Sequence, residues 1–114
     1  MNQEINQNAI WWVDLNPTKG TEQRGHRPCL VVSVNEINRH VPRVIVVPLT
    51  SQPKTYPTAV RIDSTLGITG KVSYALTDQI RAVSVERFGK FIADIEPMEA
   101  YNVRTTLAYA LGIE

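Results

Sequence analysis

One stretch of the chain, Gly20-Thr21-Glu22-Gln23-Arg24-Gly25-His26-Arg27-Pro28, sets two arginines, an imidazole and a carboxylate among glycines, between two apolar runs. Pro28 holds Arg27 out of the α region and extended, which aims a fork-shaped guanidinium outward in a geometry that suits a phosphate. The alternative for Arg27 is a surface ion pair with Glu22 or Asp14. Thr50 closes a later apolar run, where its hydroxyl either caps a turn or faces a ligand. Asp78, Gln79 and Arg81 make a third polar group behind the run Val72 to Leu76. A groove holding an arginine, a hydroxyl and a carboxylate can cut RNA without a metal. The 2′-OH of RNA is itself the nucleophile, so the protein has only to move protons and stabilise the charged transition state.

Other chemistries lack their residues. His26 and His40 lie fourteen positions apart with no cysteine or carboxylate at ligand spacing, so no zinc pattern is present. The chain has no Gly-x-Gly-x-x-Gly after a strand, no Walker-type loop and no Gly-x-Ser-x-Gly elbow. No metal and no cofactor is expected. The single cysteine, Cys29, sits in the run Cys29-Leu30-Val31-Val32 and reads as a packed thiol.

The elements that position these residues are mostly strands. Ile10 to Leu15 is a β-favouring run stopped by Asn16-Pro17, and because neighbouring strand residues face opposite sides, at least one of Trp11 and Trp12 belongs to the core. Pro28 to Val34 is continuously apolar and should be central. Asn35 to Arg43 reads as a polar connection. Val44 to Leu49 follows, and its Pro48 predicts an edge or a bulge. Thr58 to Asp63 and Val72 to Leu76 are two further strands, flanking a glycine-containing turn over Ser64 to Lys71. Ile80 to Val83 leads to Ser84, which can cap one helical turn ended by Gly89, and Lys90 to Ile95 pairs last. Glu96-Pro97 opens the only long helix, whose apolar stripe is Ala100, Val103, Leu107, Ala110 and Leu111, with Gly112 as its stop. The expected fold is mainly β: one domain over residues 1–114, a strongly bent antiparallel sheet or small half-open barrel of five to seven strands with a C-terminal α-helix.

Bulk properties agree with a soluble domain. The 114 residues are 43% hydrophobic and 20% charged, and no run approaches the ~18 apolar residues of a membrane span. No secretory leader is visible, so a cytoplasmic location and no membrane partner are expected. Net charge is +1, spread as a basic first half, with seven Lys/Arg against four Asp/Glu over residues 1–61, and an acidic second half.

Three blocks of the chain resemble the MazF/PemK/Kid family of toxin endoribonucleases. They are Asp14-Leu15-Asn16-Pro17-Thr18-Lys19-Gly20-Thr21-Glu22-Gln23 with Gly25 to Ser33, then Val47-Pro48-Leu49-Thr50-Ser51-Gln52 with Tyr56-Pro57, and Ala75 to Arg81. The resemblance implies a homodimer of SH3-like barrels that cuts single-stranded RNA, mostly mRNA, at a short sequence without metal, leaving a 2′,3′-cyclic phosphate and a 5′-OH. It carries Arg27 and Thr50 over as the catalytic pair, with Glu22 and His26 beside them. Substrate binding falls to Asp78, Gln79, Arg81, Gln23 and Ser51. The implied protein partner is a cognate antitoxin whose acidic segment folds along the groove. Two positions depart from the family pattern: Asn8-Ala9 stands where an acidic residue is usual, and Leu76 stands where Kid-type members have a proton-donating arginine, so Arg27 or His26 would supply the acid. The competing reading is a non-enzymatic gyrase poison similar to CcdB. This chain ends Leu111-Gly112-Ile113-Glu114 without the tryptophan of that group's tail.

Overall fold

The computed structural model describes residues 4–17 and 19–113; Thr18 of the first block lies outside them. Seven antiparallel strands form one bent, unclosed sheet: β1 Ala9–Asp14, β2 His26–Val31, β3 Arg43–Thr50, β4 Ala59–Ile62, β5 Ser73–Leu76, β6 Arg81–Ser84 and β7 Phe88–Asp94. The order is β4-β5-β3-β2-β1-β7, with β6 also on β3. Helix α1 spans Asn35–His40, the short turn α2 Leu66–Thr69, and α3 Pro97–Leu111.

Strand alternation sends side chains to two cores. Ile10, Leu30, Val47 and Leu49 face α3 and the β4–β5 hairpin. Trp11, Val13, Leu15, Cys29, Val31, Val44, Val46 and Val83 fill the opposite face, called the inner face below. The register agrees across strands, with Trp11 opposite Cys29 and Val31 opposite Val46. Trp11 is 6% exposed and Trp12 is 38%, one indole on each side of β1 as alternation requires.

Four details differ from the sequence reading. Residues Asn35–His40 of the polar connection are helical, although the N-cap Val34 offers no side-chain cap; Asn38 holds the helix by donating to the Ser33 carbonyl at 3.0 Å. Strand β3 is central, not an edge. Its pairing with β6 ends at Val46 opposite Arg81, and its pairing with β5 begins at Leu49 opposite Ala75, so the missing N–H of Pro48 falls in the gap between the two. Ser84 does cap a single turn, Val85–Arg87, but Gly89 lies inside β7. A Cβ there would come within 3.4 Å of the Trp12 carbonyl oxygen. Lastly, α3 buries Ala100 and Val103, while Ala110 and Leu111 are exposed because the helix outruns the sheet that it covers.

Helix α3 begins with a capping box: Glu96 accepts from the backbone at N3, and Glu99 accepts from the Glu96 N–H at 2.8 Å. Glu99 also accepts from the Asp63 N–H at 2.6 Å, the Ser64 N–H at 3.2 Å and the Ser64 hydroxyl, which ties the helix to the end of β4. Burial pushes this carboxyl up, but the hydrogen bonds outweigh it and hold the group below the usual carboxylate range. A depressed folded pKa adds stability above the unfolded value and loses it as pH falls through the folded one. Glu99→Ala is therefore expected to cost about 1–2 kcal/mol near neutral pH. The gap from the parent should close below about pH 4, and urea midpoints at the two pH values check this.

Candidate active site

The chemistry-bearing residues gather where the inner face opens at the ends of β1, β2 and β3. The β2–β3 pairing ends at Cys29 opposite Pro48, and Arg27 and Thr50 lie two residues beyond that pair on their strands, Arg27 opposite Val13 of β1 and Thr50 opposite Tyr74 of β5. Both have the parity of the inner face, since Arg27 lies opposite the buried Val13, and Thr50 follows Val44, Val46 and Pro48 at steps of two. Arg27 is half-buried, its Nε donating to the Arg24 carbonyl at 3.0 Å. Among the described residues it has no ion pair with Glu22 or Asp14, the one salt bridge being Arg61–Asp63. Thr50 is 7% exposed, and its Oγ1 accepts from the Gln52 N–H at 3.2 Å. That bond closes the turn after β3 and leaves the hydroxyl proton to donate elsewhere.

The loop between β1 and β2 is closed by its own polar groups and tied down from a distance. Glu22 accepts from the Lys19 N–H at 2.7 Å, and Asn16 accepts from Gly25 at 3.1 Å. Gly20 and Gly25 have φ of +61° and +76°, conformations that favour glycine. Gln79 accepts from the Gln23 N–H at 2.9 Å, which joins this loop to the 3₁₀ turn Thr77–Gln79. Arg81 Nη1 donates to the Leu15 carbonyl at 3.4 Å, and Arg87 Nη1 donates to the carbonyls of Asp14, at 3.2 Å, and Asn16. These anchors hold the loop with Ala9 buried at the start of β1 in place of an acid.

Two hollows flank Gln79. One of about 190 Å³ is lined by Leu15, Glu22, Gln23, Pro48, Asp78 and Arg81, among others; the second, of about 500 Å³, shares Gln23, Asp78 and Gln79 and adds Thr21, Lys54 and Tyr56. Glu22, Gln23, Asp78, Gln79 and Arg81 thus meet around these hollows, while Arg27 and Thr50 line neither. His26, opposite Asp14, and Ser51, after Thr50, are exposed at the adjoining strand ends and line neither hollow. Lys54 and Tyr56 were not singled out from sequence as site residues. Lys54 Nζ stands 5.9 Å from the Tyr56 ring centroid, a cation beside an exposed aromatic face. Cys29 is no nucleophile, because burial pushes its thiol up to about 12 against the opposing pull of the Arg81 guanidinium. Among the described residues no cluster of three His, Cys, Asp or Glu side chains could hold a metal.

The fold and site define a small bent-sheet protein with an arginine and a threonine hydroxyl at neighbouring strand ends. Residues 6–111 match the family of PemK-like, MazF-like toxins of type II toxin–antitoxin systems, and the chain belongs to that family. It is 40% identical over 73 residues to the endoribonuclease toxin MazF of Escherichia coli, over 64% of this chain and 62% of that protein, so the match spans less than two thirds of that relative. It is 33% identical over 110 residues to the endoribonuclease MazF9 of Mycobacterium tuberculosis, over 91% of this chain and 93% of the relative. Among solved structures, MazF of Deinococcus radiodurans superposes with a TM-score of 0.86 at 27% identity, covering 98% of this chain and 100% of that one. An endoribonuclease in complex with its cognate antitoxin, from mycobacterial species, gives 0.81 at 28% identity, covering 96% and 97%. No helix is long and apolar enough to cross a membrane among the described residues.

Proposed function

We propose that this chain is a sequence-specific endoribonuclease toxin that cuts single-stranded RNA by attack of the 2′-OH on the adjacent phosphate, without a metal, and is neutralised by a cognate antitoxin. The observation that supports the reading is that Arg27 and Thr50, on neighbouring strands two residues beyond the Cys29–Pro48 pair, share the parity of the inner face in a chain of this family. Arg27 binds the scissile phosphate through a guanidinium that no described carboxylate neutralises. Thr50 donates its free hydroxyl proton to the charge that builds on the phosphate oxygens. Glu22 and His26 are side chains of the β1–β2 connection able to exchange protons, the carboxylate taking the proton of the 2′-OH and the imidazole serving as acid towards the leaving 5′ oxygen. Asp78, Gln79, Arg81, Gln23 and Ser51 position the RNA along the rim. Unstacked bases enter the hollows, where RNA is read by stacking and edge contacts.

The reading is tested by incubating the protein with mixed cellular RNA in EDTA and mapping the new ends. Cuts at one short word bearing 2′,3′-cyclic phosphate and 5′-OH are expected, and intact RNA from folded protein would overturn the assignment. Tyr56 is 58% exposed beside the larger hollow, and we assign it as a stacking platform. Tyr56→Ala should weaken RNA binding by about tenfold or more, read as Kd on a non-cleaved RNA analogue; an unchanged Kd would remove Tyr56 from the site.

We further propose a cytoplasmic homodimer. Its support is the unburied apolar surface of α3 and of Ile113 two residues beyond it: Met98, Tyr101, Tyr109, Leu111 and Ile113 are all more than half exposed. Sedimentation at several concentrations should show twice the chain mass, and a monomer throughout would refute the pairing.

A further inference from the structure

Three consecutive carbonyls at the end of β1, those of Asp14, Leu15 and Asn16, are taken by two guanidiniums that flank β6. Arg81 reaches only the middle carbonyl, at 3.4 Å. Arg87 Nη1 uses its two hydrogens on the carbonyls either side of it, Asp14 at 3.2 Å and Asn16. The next residue, Phe88, pairs opposite Val13, which sets the Arg87 backbone just past the end of β1. Arg87 is half-buried, and among the described residues the one salt bridge lies elsewhere, between Arg61 and Asp63. It lines neither hollow beside Gln79, so its guanidinium serves the backbone of the β1–β2 connection and not the RNA.

From Asn16 the contacts run on to Arg27. With its carbonyl held by Arg87, Asn16 accepts from the Gly25 N–H at its side-chain Oδ1, at 3.1 Å, while the Gly25 carbonyl accepts from the Leu15 N–H at 3.0 Å. The Gly25 N–H and the Arg24 carbonyl belong to one planar peptide group, so a bond that orients the first also orients the second. That Arg24 carbonyl accepts from Arg27 Nε at 3.0 Å. The other long-range anchor, Gln79 on the Gln23 N–H, lies on the arm of the loop that carries Glu22 and does not touch this peptide. We propose that Arg87 is a positioning residue for Arg27: through Asn16 and the Arg24–Gly25 peptide it sets the direction of the guanidinium that binds the scissile phosphate. The assignment rests on the reading of Arg27 as the phosphate-binding group. A displacement of about 1 Å at a reacting centre costs on the order of a hundredfold in rate, and hydrogen bonds that give a little along the way pass on part of it, about tenfold.

The test uses the full chain and an RNA oligonucleotide, with kcat and KM measured well below each variant's melting temperature. Arg87→Gln, whose shorter amide cannot span both carbonyls, should lower kcat about tenfold with KM within about twofold of the parent. Arg87→Lys offers an ammonium with donors for both carbonyls and should recover most of that rate. Asn16→Ala keeps the carbonyl that Arg87 holds, breaks the link to Gly25, and should reproduce the fall. In the Arg27→Lys background, which lacks the Nε donor, adding Arg87→Gln should cost less than about twofold, because residues that act as one unit are not additive. With ¹⁵N-labelled arginine, the Arg27 Nε–H cross-peak should move or broaden in Arg87→Gln and keep its place in Arg87→Lys. A folded Arg87→Gln or Asn16→Ala at the parent kcat, an unmoved Arg27 Nε–H, or a tenfold loss that persists in the Arg27→Lys background would each overturn the positioning role. Arg27→Ala cleaving at the parent rate would end the phosphate-binding reading and this role with it, whereas an inactive Arg27→Ala beside a fully active Arg87→Gln would sink the positioning role alone.

Discussion

Arg27→Ala is expected to abolish RNA cleavage while leaving fold and self-association intact. The side chain leaves the extended backbone before Pro28, and among the described residues its one hydrogen bond runs from Nε to the Arg24 carbonyl. Removing it costs the fold no more than about 1 kcal/mol. Losing a preorganised cation from the phosphate costs on the order of a hundredfold to a thousandfold in rate. Arg27→Lys separates charge from shape: an ammonium restores the charge but cannot grip two phosphate oxygens at once, so the lysine variant should fall between parent and alanine. Initial rates on an RNA oligonucleotide, with a thermal melt of each variant, check both statements. Cleavage by Arg27→Ala at the parent rate in folded protein would end the assignment of Arg27 as the phosphate-binding group.

The strands and the groups at their ends were legible in the sequence because each is a local pattern. Apolar runs bounded by Asn16-Pro17 and the Pro53–Pro57 stretch state where β1 and β3 stop, and the chemistry-bearing residues sit beside those stops, whereas β2 begins two residues before Pro28 and ends at Val31. What sequence did not reveal depends on pairing between distant residues. Pro48 reads as an edge residue, yet β3 is central because β5 and β6 share its far side and leave a gap at Pro48. Arg87 looks like one more surface cation, but its guanidinium closes the loop between β1 and β2 through carbonyls 73 and 71 positions earlier. Helix α1 carries no buried residue and no side-chain N-cap bond, and without an apolar stripe no periodicity could announce it.

Thr50→Val is expected to slow cleavage by at least about tenfold, equivalent to 1.4 kcal/mol of transition-state stabilisation. Valine has nearly the same shape and the same β-branching, so the end of β3 keeps its backbone, and only the hydroxyl is lost. That hydroxyl has two separable duties. As an acceptor it takes the Gln52 N–H at 3.2 Å, and a valine leaves that N–H unpaired at a cost to stability of about 1 kcal/mol. As a donor it holds a proton that the Gln52 contact does not use, on a residue with the same strand parity as Arg27. Thr50→Ser keeps both duties and gives up only a methyl group, so it should recover most of the rate. A turn-capping Thr50 with no part in the chemistry predicts another pattern, in which Thr50→Val melts earlier but, while folded, turns over at the parent kcat. Measuring kcat and KM for both variants well below their melting temperatures separates the two. A fall in kcat with KM nearly constant in Thr50→Val, reversed in Thr50→Ser, assigns the hydroxyl to the transition state. An unchanged kcat returns it to the turn, and Arg27 with the proton-moving groups would then have to supply all the charge stabilisation that the cut demands.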